Sequence, residues 1–381
     1  MNLFSDFYYK LKGKYGKNNS AEYKFGFLVH ARSYKDIYRK YTFARVLPKS
    51  VVLFCMKHLW PITLSRVTGV ASVHDRKEIP GYVIGITMTA EQMMNNRALA
   101  LQKIREALFL AKGRGVKIIG LGGLTASLSG GGKELLDIPI HITTGHAYTA
   151  FNITQNLFKV TEMFDIPKAS LKVAVVGAAG SVGSICALMI ARADYPIIYL
   201  IDLKRKHDAV YELEKEISKL NPKVKVIISD DIKNILECDY VITATNTPEA
   251  LVTPDLVKDG MVIIDDAQPS DIHPDVLKMP NVLVLEAGVV HTPGIYSHFN
   301  YGLKSKTDNF CCMAELLVLA ANEWQEHYVI HRATLAHVDE ISAMGEKLGF
   351  TVAAFQNFLE SVKTDKINHV KSLAHNRHVQ S

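Results

Sequence analysis

Nothing in this chain is spaced to hold a metal. Its five cysteines, Cys55, Cys186, Cys238, Cys311 and Cys312, form no CxxC pair and no Cys/His ligand pattern. Their odd number, with no leader-type N-terminus, predicts a cytoplasmic protein without disulfides. Charge of one sign is also scarce. Lys and Arg number 44 against 38 Asp and Glu, a balance of +6. That is compatible with an acidic partner and too little to predict nucleic-acid binding. No internal repeat recurs. One uncharged run, Val173 to Ala191, approaches the length of a membrane span. Gly177, Gly180 and Gly183 interrupt it and its first half is β-branched, so it reads as strand, turn and buried helix. The composition, 48% hydrophobic and 22% charged, is that of a globular protein large enough for two or three domains.

What is present alternates between strand and helix. Residues 1–22, rich in Lys, Tyr, Asn and Ser, read as a frayed or accessory arm. Residues 23–165 read as a small α/β, substrate-binding domain. Its strands are expected at 24–30, 65–73, 82–86 and 116–120. Its helices are expected at 33–43, 90–112 and 143–158, with Met93, Leu101, Ile104 and Leu108 on one side of the second. Residues 166–300 carry six apolar runs, at 173–176, 197–201, 224–228, 240–244, 261–264 and 282–285. Helical stretches between most of them predict a doubly wound parallel sheet of Rossmann type. Residues 301–381 read as helices at 309–325, 334–348 and 352–362.

Two motifs carry chemistry. The first is Val175 to Ser184, VVGAAGSVGS, a glycine turn between a strand and a helix. Small residues there let backbone N–H groups approach a pyrophosphate at the helix N-terminus. Gly177, Ala178, Gly180, Ser181, Val182 and Gly183 are the expected contacts. Asp202 ends the next strand and is placed to accept from an adenosine ribose, which favours NAD. Lys204 and Arg205 follow and could hold a 2′-phosphate, so both dinucleotides stay open. Thr245 and Asn246, after the fourth strand, fall where a nicotinamide is expected.

The second motif is TDNFCCMAELLVLAANEW. Asp308 or Asn309 is expected to cap a strongly apolar helix, which places Cys311 and Cys312 in its first turn. A helix N-terminus favours a thiolate, which attacks an acyl thioester and later leaves. His146 and Tyr148, in HITTGHAYTAF, are candidates to donate to a carbonyl oxygen or relay a proton. A hydride carrier and a nucleophilic sulfur together suggest thioester reduction or aldehyde oxidation.

These residues together resemble the cyanobacterial long-chain acyl-[acyl-carrier-protein] reductases. The likeness runs over nearly the whole chain after the N-terminal arm. It lies in Phe25-Gly26 with His30, in Gly81 to Met94, in Leu121 to Thr125 (LGGLT) and in Thr143-Thr144-Gly145. It continues in Val175 to Ser184 and in Phe310 to Glu315 (FCCMAE), where the resemblance puts the acyl-accepting cysteine at Cys312. It implies reduction of a long-chain fatty acyl thioester, on a carrier protein or CoA, to a fatty aldehyde. It also implies NADPH, with NADH possible, because Asp202 stands where the family carries an arginine-containing strand end. His146 and Tyr148 stand where the family has Asn and His. No metal, nucleic acid or transmembrane segment is expected. The competing expectations are a shikimate-type or amino-acid-type dehydrogenase with no covalent step, and a non-catalytic, nucleotide-sensing module.

Overall fold

The second half of the chain is built on six parallel strands. They are β6 (Lys172–Val176), β7 (Ile197–Ile201), β8 (Lys225–Ser229), β9 (Tyr240–Thr243), β10 (Val262–Asp265) and β11 (Leu283–Glu286). Their order across the sheet is β11-β10-β9-β6-β7-β8, with every pairing parallel. This is the doubly wound dinucleotide-binding topology, whose direction reverses between β6 and β9. β6, β7, β9, β10 and β11 are apolar without alternation because both their faces are buried, whereas the edge strand β8 is partly exposed along its length. The computed structural model describes residues 3–11, 22–247, 249–267 and 270–380.

The first half holds a five-stranded sheet. Its strands are β1 (Phe25–Ala31), β2 (Ile62–Val67), β3 (Gly81–Thr89), β4 (Ile118–Leu121) and β5 (His141–Thr143). Their order is β2-β3-β1-β4-β5, with β2 alone antiparallel. Leu28, Ile84, Met88, Ile104, Ile119 and Ile142 form its core. The protein is therefore α/β, a Rossmann-type sheet preceded by a smaller α/β sheet and followed by C-terminal helices.

Two compact units interleave along the sequence. Met1–Gly145, His291–Arg332 and Ala343–Thr351 form the first, and His146–Val290, Ala333–Ser342 and Val352–Ser381 form the second. The C-terminal stretch from 301 is thus divided. The helix Cys311–Ala321 belongs to the first unit and the helix Thr364–Gln380 to the second.

Several elements differ from expectation. Residues 3–11 of the arm form a helix, while 12–21 lie outside the described residues. Asp6 is fully buried and accepts from the Thr63 amide at 2.8 Å, and Arg114 pairs with it. The helix expected over 90–112 is two, Ala90–Asn95 and Arg97–Gly113, because the Asn96 side chain caps the second by accepting from Leu99 N. The helix expected from 143 starts at His146, since Thr143 is still paired in β5. No helix forms over 352–362. The side chain of Asn357 accepts from the amides of Leu359 and Glu360 and turns the chain instead. Thr364–Gln380 is a helix the pattern does not announce. Among its described side chains it buries Ile367, Val370 and Ala374.

Candidate active site

In the first unit, the helix Cys311–Ala321 packs against β1 and β4. A side chain at Gly120 of β4 would meet Leu316 at 3.2 Å. The helix is apolar all round and almost wholly buried. Its N-cap is Phe310, without a side-chain cap, which corrects the expected capping by Asp308 or Asn309. Those two residues lie in an extended segment, 308–310. Asp308 pairs with His291 at 3.0 Å, and Asn309 Nδ2 donates to Thr292 Oγ1 at 2.7 Å. The cysteines occupy the first two helical positions. Cys311 is buried, whereas Cys312 is partly exposed.

The segment Thr143-Thr144-Gly145 is locked against this first turn. Glu315, one turn beyond Cys312 and fully buried, accepts from the Thr143 hydroxyl and from the Gly145 amide, the latter at 3.0 Å. Gly145 has φ +80°, and a Cβ there would sit 2.4 Å from both Cα and Cβ of Cys312. Only glycine fits that approach. The adjacent Thr144 hydroxyl is buried with no hydrogen-bond partner among the described residues. Burial, and then the charge of Cys312, push the Tyr301 phenol far above its usual range, so it remains protonated. Its hydroxyl donates toward Met313 Sδ at 3.5 Å.

His30, on β1, holds the LGGLT loop. Its Nε2 accepts from Leu124 N at 3.1 Å and its Nδ1 lies 3.2 Å from Ala31 O. Desolvation lowers its pKa, which favours the neutral ring with Nδ1 protonated. The other thiols differ from Cys312. Burial raises Cys186 well above the thiol range and Cys238 to about 12. Cys55 is exposed.

In the second unit the glycine turn joins β6 to the helix Ser181–Arg192. Gly177 has φ +84°, and a Cβ there would meet Ala244 O at 2.7 Å and Thr245 Cγ2 at 3.1 Å. A Cβ at Gly183 would lie 2.3 Å from Gly177 O. Gly180 differs: it is the N-cap with φ −72°, and among the described residues its Cβ would meet only Gly177 O at 3.0 Å and Ala244 O at 3.8 Å. Gly177 and Gly183 therefore close the turn on itself, while Gly180 leaves one side open. The amides of Gly177 and Ala178 donate to Ile201 O, at 2.9 and 3.3 Å. Val182 and Gly183 present first-turn amides that a helix cannot pair internally. The turn fits a dinucleotide pyrophosphate.

Asp202 is part of this turn. Its Oδ2 accepts from Ala179 N at 2.9 Å and its Oδ1 from Leu203 N at 2.8 Å, with Lys206 Nζ 3.3 Å away. Lys204 and Arg205 are exposed. Thr245 donates through its hydroxyl to Asp271 at 2.6 Å. Asn246 lies in the same loop. His146 begins the second unit's long helix, His146–Phe164, and Tyr148 is buried in it, edge-on to Phe151 at 5.6 Å.

Sequence reasoning missed the acids at the end of β10. Asp265 accepts from Thr243 Oγ1 at 2.7 Å, Ser270 Oγ at 2.6 Å and Ala267 N at 2.9 Å. Burial, helped by Asp271, raises it to about 7. Asp266 and Asp271 are raised by burial too. Consecutive acids ending an apolar strand, VIIDD, were the available signal. Glu315 was legible as a lone acid in an apolar helix. Tyr301 left no signal. Among the described residues no three or more His, Cys, Asp or Glu are grouped to hold a metal, and no helix is long and apolar enough to cross a membrane.

Residues 160–287 match the shikimate/quinate 5-dehydrogenase family. The chain is 25% identical over 272 residues to the aminotransferase PigE of Serratia sp., covering 68% of this chain and 31% of that protein. It thus spans about a third of PigE's length. It is 25% identical over 304 residues to the long-chain acyl-[acyl-carrier-protein] reductase of Synechococcus elongatus, covering 75% of this chain and 83% of that protein. A structure of quinate dehydrogenase from Corynebacterium glutamicum with NAD aligns at TM-score 0.35 and 12% identity, covering 85% of this chain and 98% of that one. The chain is similar at a distance to oxidoreductases, through a dinucleotide-binding domain of shikimate-dehydrogenase type.

Proposed function

We propose that this protein is an NAD(P)H-dependent reductase of long-chain acyl thioesters that releases a fatty aldehyde. The observation that carries the reading is Cys312. It is the partly exposed member of the pair in the first turn of a buried helix, with the TTG segment fixed against it through Glu315 and Gly145. The similarity to the Synechococcus reductase, which covers most of both chains, supports it.

In this reading the Cys312 thiolate attacks the acyl carbonyl carbon, and the first-turn position favours that anion. The tetrahedral adduct collapses, the bond to the carrier sulfur breaks, and the carrier leaves as its thiolate, which takes a proton from solvent. A thioester on Cys312 remains. Gly177, Ala178, Gly180, Ser181, Val182 and Gly183 would hold the dinucleotide's pyrophosphate, with Asp202, Lys204 and Arg205 toward its ribose and Thr245 and Asn246 toward its nicotinamide end. A reduced dinucleotide held by these residues would supply one hydride to the acyl carbon. The C–S bond then breaks, the aldehyde departs and the Cys312 thiolate is restored. His146 and Tyr148 are the proposed donors to the carbonyl oxygen. An acyl carrier protein is the proposed partner and the cytoplasm the proposed location.

Intact-protein mass after incubation with a long-chain acyl-CoA, without reductant, tests the reading. Wild type should gain one acyl group. Cys312→Ala should gain none and make no aldehyde, while Cys311→Ala keeps both. The second reading, a shikimate-type dehydrogenase acting on C–OH or C–NH₂, is favoured by the family match over 160–287. It requires no acyl-enzyme, so an unchanged mass with dinucleotide-dependent oxidation of a hydroxy or amino acid would replace the first reading.

A further inference from the structure

Residues 42–58 of the first unit place large apolar side chains in water. Phe43 is 69% exposed, Val46 85%, Leu47 39%, Val51 42% and Phe54 64%. Five such residues within one short stretch exceed the scattered exposure of a soluble surface. The stretch is not loose. Ala44, Val52 and Met56 are buried beneath it. Gln92 Nε2 donates to Leu53 O at 2.8 Å, and Thr87 Oγ1 donates to Leu59 O at 2.7 Å. The helix Lys49–His58 is therefore anchored by one face and presents the other.

Cations accompany the apolar side chains. Arg45, Lys49 and Lys57 are all exposed. Between Asp36 and Asp75 the sequence has no acidic residue. A short anchored helix with exposed aromatic and aliphatic groups, ringed by Lys and Arg, has the chemistry of an element lying in a lipid interface.

We propose that residues 42–58 dock the protein on the surface of an anionic lipid bilayer, with Phe43, Val46 and Phe54 in the acyl boundary and Arg45, Lys49 and Lys57 at the headgroups. The apolar groups need a non-polar counter-surface and the cations an anionic one, and such a bilayer offers both. A second copy of this chain fits less well, because a two-fold contact would set each cationic patch against itself. The inference does not rest on the chemistry of Cys312.

Co-sedimentation of the full chain with vesicles tests it, using phosphatidylcholine alone and phosphatidylcholine with phosphatidylglycerol, at low and high salt. Wild type should bind the anionic vesicles, release at high salt and ignore the neutral ones. The triple variants F43S/V46S/F54S and R45E/K49E/K57E should each lower binding more than about tenfold. Their melting temperatures should stay at the wild-type value, because the changed side chains are exposed. Absence of wild-type binding to anionic vesicles overturns the proposal whatever the variants do. So does equal binding to both vesicle types that the charge reversal leaves intact. A wild-type dimer that F43S/V46S/F54S dissociates would assign the surface to a second copy. Capture of an acidic carrier protein without vesicle binding would assign it to that partner.

Discussion

The Gly145 amide donates to Glu315 Oε1 at 3.0 Å, and the Thr143 hydroxyl donates to the same oxygen. One buried carboxylate thus ties the end of β5 to the helix that begins with the two cysteines. Removing it strands two donors in a dry place. Glu315→Ala should cost roughly 2–4 kcal/mol and lower the melting temperature by roughly 5–10 °C. Glu315→Gln keeps one acceptor oxygen and should lose about half as much. Both should slow acylation of Cys312, read by intact mass against time. A melting temperature unmoved by Glu315→Ala would mean these bonds contribute nothing net.

Gly145→Ala should be worse than its size suggests. The new methyl would sit 2.4 Å from the Cys312 backbone, in a left-handed conformation that L residues resist. Relief means moving the first helical turn. Acylation should fall by more than about tenfold, with a lower melting temperature. A variant acylated at the wild-type rate would show that the turn and the cysteine are not coupled.

The turn glycines separate folding from binding. At Gly180 an added Cβ meets Gly177 O at 3.0 Å and Ala244 O at 3.8 Å, whereas at Gly183 it meets Gly177 O at 2.3 Å. Gly180→Val should therefore fold, with a modest loss of stability, and lose dinucleotide affinity by more than about tenfold, because the branched side chain fills the pyrophosphate approach. Acylation of Cys312 should survive. Gly183→Ala should instead lower the melting temperature. Calorimetric titration with NADPH alongside thermal melts distinguishes the two, and equal affinity in Gly180→Val and wild type would place the pyrophosphate elsewhere.

Asp265 sets a pH dependence of unusual sign for a carboxyl. Burial raises its folded pKa to about 7, above an unfolded value of about 4. The folded state keeps a proton that the unfolded state has released. Stability from this group is full below about pH 4, falls as pH rises, and is lost above about 7. Asp266 and Asp271, also raised, act in the same direction. Asp265→Asn keeps the acceptor for Thr243 and Ala267 and can donate to Ser270. Its stability relative to wild type should rise across that window, in urea unfolding at a series of pH values. A constant difference would mean Asp265 does not titrate there.

How much of this was legible depends on what each residue needed. The strands of the second unit were, because β-branched runs such as IIYLI and VIID suit a sheet buried on both faces. The region 352–362 was not. VAAF reads as helix, but one side chain, Asn357, captures two amides and turns the chain. The helix 364–380 was hidden because it buries few apolar residues, Ile367, Val370 and Ala374, and is held besides by polar contacts that leave no pattern: His375 Nε2 lies 2.6 Å from Phe164 O and Arg377 pairs with Asp239 at 2.6 Å. The extended segment before Cys311 defeated the cap expectation, since Asp308 and Asn309 spend their polar groups on His291 and Thr292. Asp202 was found by position. Its partners were invisible, because they are backbone amides.

Those partners decide the cofactor experiment. By charge alone, Asp202→Ala would remove an anion near a 2′-phosphate and strengthen NADPH use. In the structure the carboxylate accepts from Ala179 N and Leu203 N, and Lys206 lies beside it. The change would release the turn that carries the pyrophosphate, so Asp202→Ala should weaken NADH and NADPH alike. Asp202→Asn keeps one acceptor and lifts the charge, so it should hold most affinity and move preference toward NADPH. Oδ1 faces both Leu203 N and the Lys206 ammonium, whereas Oδ2 accepts from Ala179 N and keeps a further lone pair, so ribose binding is not blocked in wild type. Arg205 is exposed and uncommitted to Asp202. An Arg–phosphate bond contributes roughly 1.5–3 kcal/mol, about tenfold or more in affinity. Arg205→Ala should shift preference toward NADH by about that factor, with NADH affinity unchanged. The measurement is kcat/KM for each dinucleotide with one acyl substrate, beside the dissociation constants. A wild type strongly selective for NADH, with Arg205→Ala silent, would make Asp202 the ribose ligand and leave no 2′-phosphate site at Arg205.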